Sequence, residues 1–166
     1  VYQNTVLGAE PQDFNYNGDE TTLVIGDENI FRENVVINRA TFKDGETRIG
    51  NRNFFMEGVH ISHDTKVDDY CTFGYGTKIA GDCEVHSAVI FSSGVIVNAN
   101  VRIGGASMVT GGVRISKDVP PFIVATDNPV RYAGVNETLL QNSGTEHKVI
   151  GHIANAYRLV FHGQTS

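Results

Sequence analysis

The sequence has no tryptophan, two cysteines and four prolines, and it lacks any long apolar run. Cys71 and Cys83 are too few for a disulfide framework and lack the CxxC spacing of a zinc site, so we expect two reduced core thiols. A membrane span needs about 18 consecutive apolar residues, and no such stretch occurs in the sequence. These absences exclude a disulfide-stabilised module, a zinc ribbon and a membrane-spanning helix within the 166 residues.

Positive charge is scarce as well. The 13 Lys and Arg residues are outnumbered by 19 Asp and Glu residues, which gives a formal net charge of -6 at pH 7. No cluster of basic residues and no stripe of basic and aromatic residues occurs, so we expect no nucleic-acid partner. The chain starts at Val1, and no charged segment followed by an apolar stretch marks a signal peptide. We expect a cytoplasmic protein whose own N-terminus lies further upstream.

What the sequence does contain is a six-residue period. Every sixth residue of one series is apolar: Ile49, Phe55, Ile61, Val67, Phe73, Ile79, Val85, Phe91, Val97, Ile103, Val109 and Ile115. A second series, four residues after each of these, is small or β-branched almost throughout: Asn53, Val59, Thr65, Cys71, Thr77, Cys83, Val89, Val95, Val101, Ser107 and Val113. The α-helical period and strand alternation both fit these positions less well.

A six-residue unit, here called a hexad, supplies one short strand and one turn, so three hexads close a triangular coil. Coils stack at about 4.8 Å, and the sequence therefore predicts an all-β fold, a parallel β-helix over residues 1–123. The same phase continues upstream through Leu7, Ile25, Phe31 and Ile37. Polar stretches at residues 10–22 and 38–48 interrupt it and are predicted to be loops that leave the prism.

The repeat is expected to end at Pro120 and Pro121, because proline cannot donate to a sheet ladder and would stop further stacking. Residues 124–166 are predicted to form an irregular segment and a C-terminal α-helix. Ser143 and Glu146 have the spacing of a capping box, and Gly163 would end the helix. The apolar face of this helix, which would cap the prism or pack on a helical partner, comprises Ile150, Ile153, Ala154, Tyr157 and Phe161.

Residues three hexads apart should lie over one another on successive coils, which places Gly81 over His63. Acyl transfer to a hydroxyl needs a general base and a donor for the oxyanion, and an imidazole beside an unobstructed glycine amide can supply both. Asp64 follows His63 and is a candidate to orient the ring. The spacing alone leaves open that His63 is not catalytic. His60 should lie beneath Lys78, either as an anion site or as a solvated pair.

Two further columns follow from the same stacking. Arg48, Lys66, Glu84 and Arg102 form a column that we interpret as a surface charge ladder without function. Gly111 and Gly112 lie roughly 13 Å along the prism from His63 and predict a groove for an acyl chain. Alternatively, these glycines make tight corners with positive φ. The two interpretations are compatible.

Longer stretches carry a resemblance to a known family. The segments are VYQNTVLGAEPQDFNYNG, IGDENIFRENVVINRATF, GVHISHDTKVDD, KIAGDCEV, SKDVPPFIVATDNP and YAGVN. In this order they resemble the bacterial UDP-N-acetylglucosamine O-acyltransferases of lipid A biosynthesis, within the hexapeptide-repeat acyltransferase superfamily. The periodicity does not define the hand of the β-helix, and the resemblance implies a left-handed one.

The resemblance also implies roles for single residues. His63 would be the general base on the sugar 3-hydroxyl, supported by Asp64, and the Gly81 amide would stabilise the oxyanion. The implied substrate-binding residues are Asp13, His60, Asn136 and Gly111. The family implies a homotrimer with sites between neighbouring prisms. The acyl donor would be carried by acyl carrier protein or coenzyme A, the acceptor would be a sugar nucleotide, and neither a metal nor a cofactor is expected.

This chain departs from the family at several substrate contacts. Asp82, Asn98 and Asn38 stand where histidines are usual, Asn15 replaces a loop lysine, and Thr138, Asn142 and Ser143 replace an acidic residue and a basic pair. The changes affect the acceptor more than the acyl-transfer step, because the base and oxyanion positions are kept. An acidic carrier protein would also need a local basic patch, for which the candidates are Arg102, Arg114, Lys117 and Arg131.

Three alternatives stay open. The chain is an acyltransferase with another acceptor, a catalytically degenerate ligand-binding trimer, or a zinc enzyme like the carbonic anhydrases of this fold. The last needs three convergent histidines, and His60, His63 and His86 lack the closely paired spacing of those enzymes. The resemblance also predicts that the chain is part of a longer protein, because the family's prism begins earlier and its C-terminal region continues further.

Overall fold

A computed structural model describes residues 1–163, and these form eighteen short strands and two helices. The strands are β1 (Val6–Ala9), β2 (Thr22–Ile25), β3 (Ile30–Phe31), β4 (Val36–Asn38), β5 (Glu46–Ile49), β6 (Phe54–Phe55), β7 (His60–Ile61), β8 (Lys66–Val67), β9 (Thr72–Phe73), β10 (Lys78–Ile79), β11 (Glu84–Val85), β12 (Ile90–Phe91), β13 (Ile96–Val97), β14 (Arg102–Ile103), β15 (Met108–Val109), β16 (Arg114–Ile115), β17 (Ile123–Thr126) and β18 (Arg131–Val135). The helices are α1 (Glu137–Asn142) and α2 (His147–His162). Positions 164–166 of the predicted C-terminal segment lie outside the described residues.

Three sheets form the faces of a prism. Face A contains β1, β4, β7, β10, β13 and β16; face B contains β2, β5, β8, β11 and β14; face C contains β3, β6, β9, β12, β15, β17 and β18. Neighbouring strands of a face are parallel and three hexads apart in the regular part, as Ile61 and Ile79 on face A illustrate. The predicted fold, a left-handed parallel β-helix, is confirmed.

The two inward series form the core. All twelve residues of the apolar series are buried, and so are all eleven of the smaller series. The rings of Phe31, Phe55, Phe73 and Phe91 stack along face C with centroids 4.8, 4.8 and 5.1 Å apart. These spacings match the distance between hydrogen-bonded strands, so each coil places one ring directly on the ring below.

The corners between faces use the left-handed backbone region. From Arg52 to Gly112, every sixth residue has a positive φ, although most of these residues are not glycine. Asp64, Asp82 and Asn100 occupy three such positions at one corner, with φ of 62°, 57° and 62°. Asp and Asn tolerate this conformation better than other non-glycine residues, and the tight turn allows each hexad to be this short.

The two loops leave the prism but are shorter than predicted. Residues 10–21 connect β1 to β2, and residues 39–45 connect β4 to β5. The second predicted loop, 38–48, was too long at both ends. Asn38 belongs to β4, and residues 46–48 belong to β5, because β5 pairs along its whole length with β2 through four residue pairs.

The prolines do not stop the stacking where the sequence predicts. Val119 forms a parallel bridge with Ile103, and β17 pairs in parallel with β15, so the last coil is completed after Pro120 and Pro121. The chain then reverses into an antiparallel hairpin of β17 and β18. The segment expected to be irregular therefore contains a hairpin and the short helix α1. In the turn, Asn128 accepts from the Arg114 amide at 2.9 Å and donates to the Gly112 carbonyl at 3.0 Å, so its side chain pairs two backbone groups at the end of face A.

The C-terminal helix packs against the hairpin. Ile150 is buried, the Tyr157 hydroxyl donates to the Pro121 carbonyl at 2.7 Å, and Tyr132 of β18 stacks on Phe161. The capping-box prediction was wrong: α2 begins after Glu146 without a side-chain cap, and Ser143 instead donates to a carbonyl of α1. Gly163 ends α2 in a left-handed conformation, as predicted. Neither helix in residues 1–163 is both apolar and long enough to traverse a bilayer.

Candidate active site

The imidazole of His63 lies over Gly81, as the stacking of coils predicts. His63 follows β7 of face A and precedes β8 of face B, so it occupies the corner between these faces, here called the A/B corner. A Cβ atom added to Gly81 would lie 2.3 Å from His63 Cε1 and 2.5 Å from Nε2. The backbone of Gly81 does not need positive φ. Glycine is required here because the imidazole occupies the space of a side chain.

Asp64 holds the ring from the other side. Its Oδ2 lies 2.8 Å from His63 Nδ1, and both side chains are mostly buried. The carboxylate also accepts from the Thr41 amide at 3.1 Å, and the Asp64 amide donates to the Thr47 hydroxyl at 2.8 Å. The carboxylate is held by one contact besides His63 and the Asp64 backbone by another, so Asp64 fixes the orientation of the imidazole.

Thr41 and Thr47 were not among the predicted site residues. Thr41 lies in the loop of residues 39–45, whose path the sequence does not specify. Thr47 precedes Thr65 by three hexads in the inward series, so the stacking rule could have placed it beneath the Asp64 turn. The loop of residues 39–45 thus contacts the His63–Asp64 pair through Thr41.

The loop of residues 10–21 brings Asp13 to the same imidazole. Asp13 Oδ2 lies 3.6 Å from His63 Nε2, on the side of the ring opposite Asp64. Asp13 Oδ1 accepts from the amide and side chain of Asn15 at 2.9 and 3.1 Å. Arg39 holds the loop by donating to the Tyr16 hydroxyl at 2.8 Å. The loop is therefore folded against the prism with a carboxylate facing the free ring nitrogen.

His60 lies one strand position away on face A. It pairs in register with Lys78, as predicted, and its Nε2 lies 2.6 Å from Asn38 Oδ1. Asn38 in turn donates to the Glu10 carbonyl at the start of the first loop. Burial lowers the pKa of His60, and the charges of Lys78 and His63 lower it further. His60 is thus favoured as a neutral ring that links face A to the loop.

Asp82 adds a third carboxylate at the A/B corner. Ligand atoms of His63, Asp64 and Asp82 all lie within 4.8 Å of one another, close enough to share a cation. Burial raises the pKa of Asp82, with a further increase from Asp64 and Asp13. Asp64 is already hydrogen-bonded to His63 and Thr41, so the protein itself uses this carboxylate. The geometry therefore fits a hydrogen-bonded acid–base pair as well as a metal ligand set.

The zinc alternative gains no support from the three histidines. His60 and His63 lie on or beside face A, whereas His86 follows β11 on face B, where its Nε2 is 3.6 Å from Glu84. Within one chain the three rings therefore do not converge on one point.

The charge column of face B is present in the predicted order, with Lys66 next to Arg48 and Glu84 next to both Lys66 and Arg102.

Two predicted substrate residues lie away from the A/B corner. Gly111 follows β15 on face C and precedes β16 on face A, and Asn136 donates to the Ala106 carbonyl at the corner between faces B and C. Positive φ applies to Gly112 (71°) and not to Gly111. His63 and Gly111 therefore lie at different corners of the prism. Their roles in binding stay predictions.

The left-handed β-helix of six-residue units places the chain in a class of folds, that of the hexapeptide-repeat acyltransferases. Comparison with known proteins narrows the class. Residues 118–166 match the family model described as UDP N-acetylglucosamine O-acyltransferase, domain 2. Over nearly its whole length the chain is homologous to the UDP-N-acetylglucosamine O-acyltransferases.

Individual relatives agree over nearly the whole chain. An acyl-[acyl-carrier-protein]–UDP-N-acetylglucosamine O-acyltransferase from Synechocystis is 36% identical over 165 residues, which cover 99% of this chain and 60% of that protein. A UDP-N-acetylglucosamine acyltransferase structure from Bacteroides fragilis is 41% identical with a TM-score of 0.97, covering 100% of this chain and 65% of the other. The corresponding Arabidopsis structure is 28% identical with a TM-score of 0.95, covering 100% and 58%. The chain thus spans about three fifths of its relatives' length.

Proposed function

We propose that this chain carries the catalytic corner of an O-acyltransferase. The reaction moves a (3-hydroxy)acyl group from acyl carrier protein to the 3-hydroxyl of UDP-N-acetylglucosamine or a related acceptor, in lipid A biosynthesis. One observation carries the proposal: the imidazole of His63 is held by Asp64 on one side and lies over the backbone of Gly81. The names of the relatives in the two organisms above support the choice of donor and acceptor.

His63 acts as the general base. Because Nδ1 lies 2.8 Å from the Asp64 carboxylate, the proton of the neutral ring is assigned to Nδ1, and Nε2 has a free lone pair. Nε2 takes the proton of the acceptor hydroxyl while its oxygen attacks the thioester carbonyl. Asp64 stabilises the imidazolium that results, and general-base catalysis of this kind contributes about 10²- to 10⁴-fold.

Gly81 stabilises the oxyanion. Among residues 1–163, no oxygen accepts a hydrogen bond from the Gly81 amide, which leaves that N–H available to the substrate. When the tetrahedral intermediate collapses, the C–S bond breaks and the thiolate receives the proton from His63. A single oxyanion donor is worth about 10²- to 10³-fold in rate. The chemistry requires no cofactor beyond the acyl carrier.

Asp13 positions the acceptor. Its carboxylate lies 3.6 Å from His63 Nε2, where a sugar hydroxyl between the two groups would donate to one of them. The changed positions Asn15, Asp82, Asn98, Asn142 and Ser143 leave the identity of the acceptor to experiment.

We infer a homotrimer, and the exterior of face C supports it. Its outward column is almost entirely apolar: Ile30, Phe54, Thr72, Ile90, Met108 and Val124. A continuous apolar column of this kind is typical of a surface covered by another chain. Gly111 and Asn136 flank this face, and in a trimer they would approach the A/B corner of a neighbouring subunit, although they lie far from His63 in their own chain.

We place the protein in the cytoplasm, in agreement with its two free, buried cysteines, since reducing compartments keep thiols unpaired.

The test is acyl transfer by His63→Ala, measured with acyl-loaded carrier protein and UDP-N-acetylglucosamine. We expect a loss of about 10²-fold or more with little change in Tm, because His63 is not part of the core. His86→Ala, an exposed histidine on face B, is the matched control and should retain activity. A loss of only a few-fold in His63→Ala contradicts the base role. If the unmodified protein binds both substrates but transfers nothing, the ligand-binding alternative replaces this proposal.

A further inference from the structure

The three faces of the prism differ in charge, and face A is the unusual one. Its outward side chains from β4 to the residue after β16 include no carboxylate: Val36, Asn38, His60, Ser62, Lys78, Ala80, Ile96, Asn98, Arg114 and Ser116. Face B mixes both signs in its charge ladder, and the outward column of face C is uncharged. In a protein of net charge -6, a face that carries cations alone is a specific feature.

The cations of face A differ from most arginines of the protein in lacking acidic partners. Arg32, Arg39, Arg48, Arg52 and Arg131 each form an ion pair with a carboxylate. Within residues 1–163, no carboxylate lies within 4.0 Å of the charged groups of Lys78 and Arg114, nor of Lys117, which follows face A at the A/B corner. Lys78 donates only to the Gly58 carbonyl and Arg114 to the Asn98 side chain, both of them neutral acceptors. These cations retain free donors and uncompensated charge.

Their arrangement leaves room for a ligand. Lys78 and Arg114 lie in register on either side of the half-exposed Ile96, two coils apart, or about 10 Å at the usual strand spacing. At the upper end a cavity of about 520 Å³ is lined by Ile96, Arg114, Ser116, Lys117, Asn128 and Pro129. Lysine and arginine side chains are long enough to converge across such a gap, and Ile96 offers an apolar contact between them.

The negative charge at the A/B corner favours binding of an anion on face A and not at the corner itself. The carboxylates of Asp13, Asp64 and Asp82 are gathered around His63 and repel a phosphate at that point. A phosphate-bearing substrate that reacts at His63 must therefore direct its phosphate away from the corner. Lys78 lies three residues before Gly81 on the strand that leads into the corner, so face A is the adjacent surface with the opposite charge.

We propose that Lys78, Arg114 and Lys117 form a phosphate subsite on face A, with Ile96 contacting the neighbouring apolar part of the same ligand. The inference rests on the proposed acyltransferase function, since it concerns a substrate of that site. The resemblance implies a basic pair at the positions of Asn142 and Ser143, which are neutral in this chain. The cations of the subsite would supply the positive charge that is missing there. The phosphate has two sources, the diphosphate of a nucleotide sugar or the phosphodiester of a pantetheine arm.

Calorimetric binding without turnover tests the subsite. The probes are UDP-N-acetylglucosamine and coenzyme A, the latter as a soluble carrier of the pantetheine phosphate. The variants are Lys78→Gln and Arg114→Gln, singly and together. Arg52→Gln is the matched control, because it removes one cation that is already paired with Glu28 and has no proposed role in binding. A charged hydrogen bond is worth about tenfold in Kd, so we expect at least a tenfold weakening per variant and none in the control.

The two probes distinguish the source of the phosphate. Weakened binding of UDP-N-acetylglucosamine alone assigns the subsite to the acceptor, and weakened binding of coenzyme A alone assigns it to the donor. Unchanged binding of both probes, or no binding of either probe to the unmodified protein, overturns the proposal. Charge-dependent binding in a protein without transferase activity would leave the subsite standing and refute only the proposed reaction.

Discussion

Replacing Gly81 with alanine adds one methyl group at the point where the His63 imidazole lies. The added Cβ would be 2.3 Å from Cε1 and 2.5 Å from Nε2, whereas ordinary contacts begin near 3.4 Å. The ring must therefore move by roughly 1 Å, since the backbone of Gly81 is fixed by the coil on each side. A displacement of this size in a reacting group costs about 10²-fold in rate. The variant keeps the Gly81 amide, so the loss would come from the base alone.

The assay is kcat for acyl transfer, with the Tm of each variant as a check on folding. We expect kcat to fall by about 10²-fold while Tm changes little, because the displaced ring lies at a corner and not in the core. Gly105→Ala is the control: it lies at another corner, and its added Cβ would meet the Ser87 carbonyl at 3.1 Å, a contact that small adjustments relieve. A Gly81→Ala enzyme within threefold of the unmodified rate would refute the argument that imidazole position requires glycine.

Four further outcomes are expected. Phe73→Ala removes a ring stacked between Phe55 and Phe91 and should lower the free energy of unfolding by about 3–5 kcal/mol in denaturant titration, while Tyr75→Ala, an exposed neighbour, should cost far less. Burial raises the pKa of the Cys71 thiol to about 12, so thiol reagents at pH 8 should label it only after unfolding, and rapid native labelling would contradict its burial. Gly111→Met should shorten the preferred acyl chain across a donor series; an unchanged preference in a folded, active variant would place the groove elsewhere. Light scattering at micromolar concentration should give three times the 18.1 kDa chain mass, and a monomer would count against the threefold assembly.

The period of six predicted the core residue by residue because strand and turn have fixed lengths in this fold. Each inward side chain has one possible direction, so counting alone identifies it. The same counting placed Gly81 over His63 and Lys78 over His60. The hairpin after Pro121 was not predicted, since β17 and β18 are defined by pairing with each other and with β15, which no local pattern records.

Gly111 shows a limit of counting along the repeat. Gly111 lies eight hexads after His63, which is two full coils plus two hexads, and these two hexads carry the chain past two further faces. The sequence-based prediction counted the height of Gly111 along the prism. It did not count the two hexads left over after the two full coils, and these decide at which corner Gly111 lies. Counting also does not apply to the loops outside the repeat. Thr41 reaches Asp64 and Asp13 reaches His63 from such loops. The path of a loop depends on contacts such as the one between Arg39 and Tyr16, which the repeat does not predict.

The coil also determines which insertions and deletions the chain can tolerate. Both loops preserve the phase of the repeat, because Leu7 to Ile25 spans three hexads and Ile37 to Ile49 spans two. A single residue deleted within the straight hexads would turn every later core side chain outward and bring its neighbours inward. Deleting one whole hexad there would restore the core but move each later side chain to the next face, separating His63 from Gly81 if the cut fell between them. Length variation during evolution is therefore expected at the loops and at the ends of the prism, and seldom between β6 and β16.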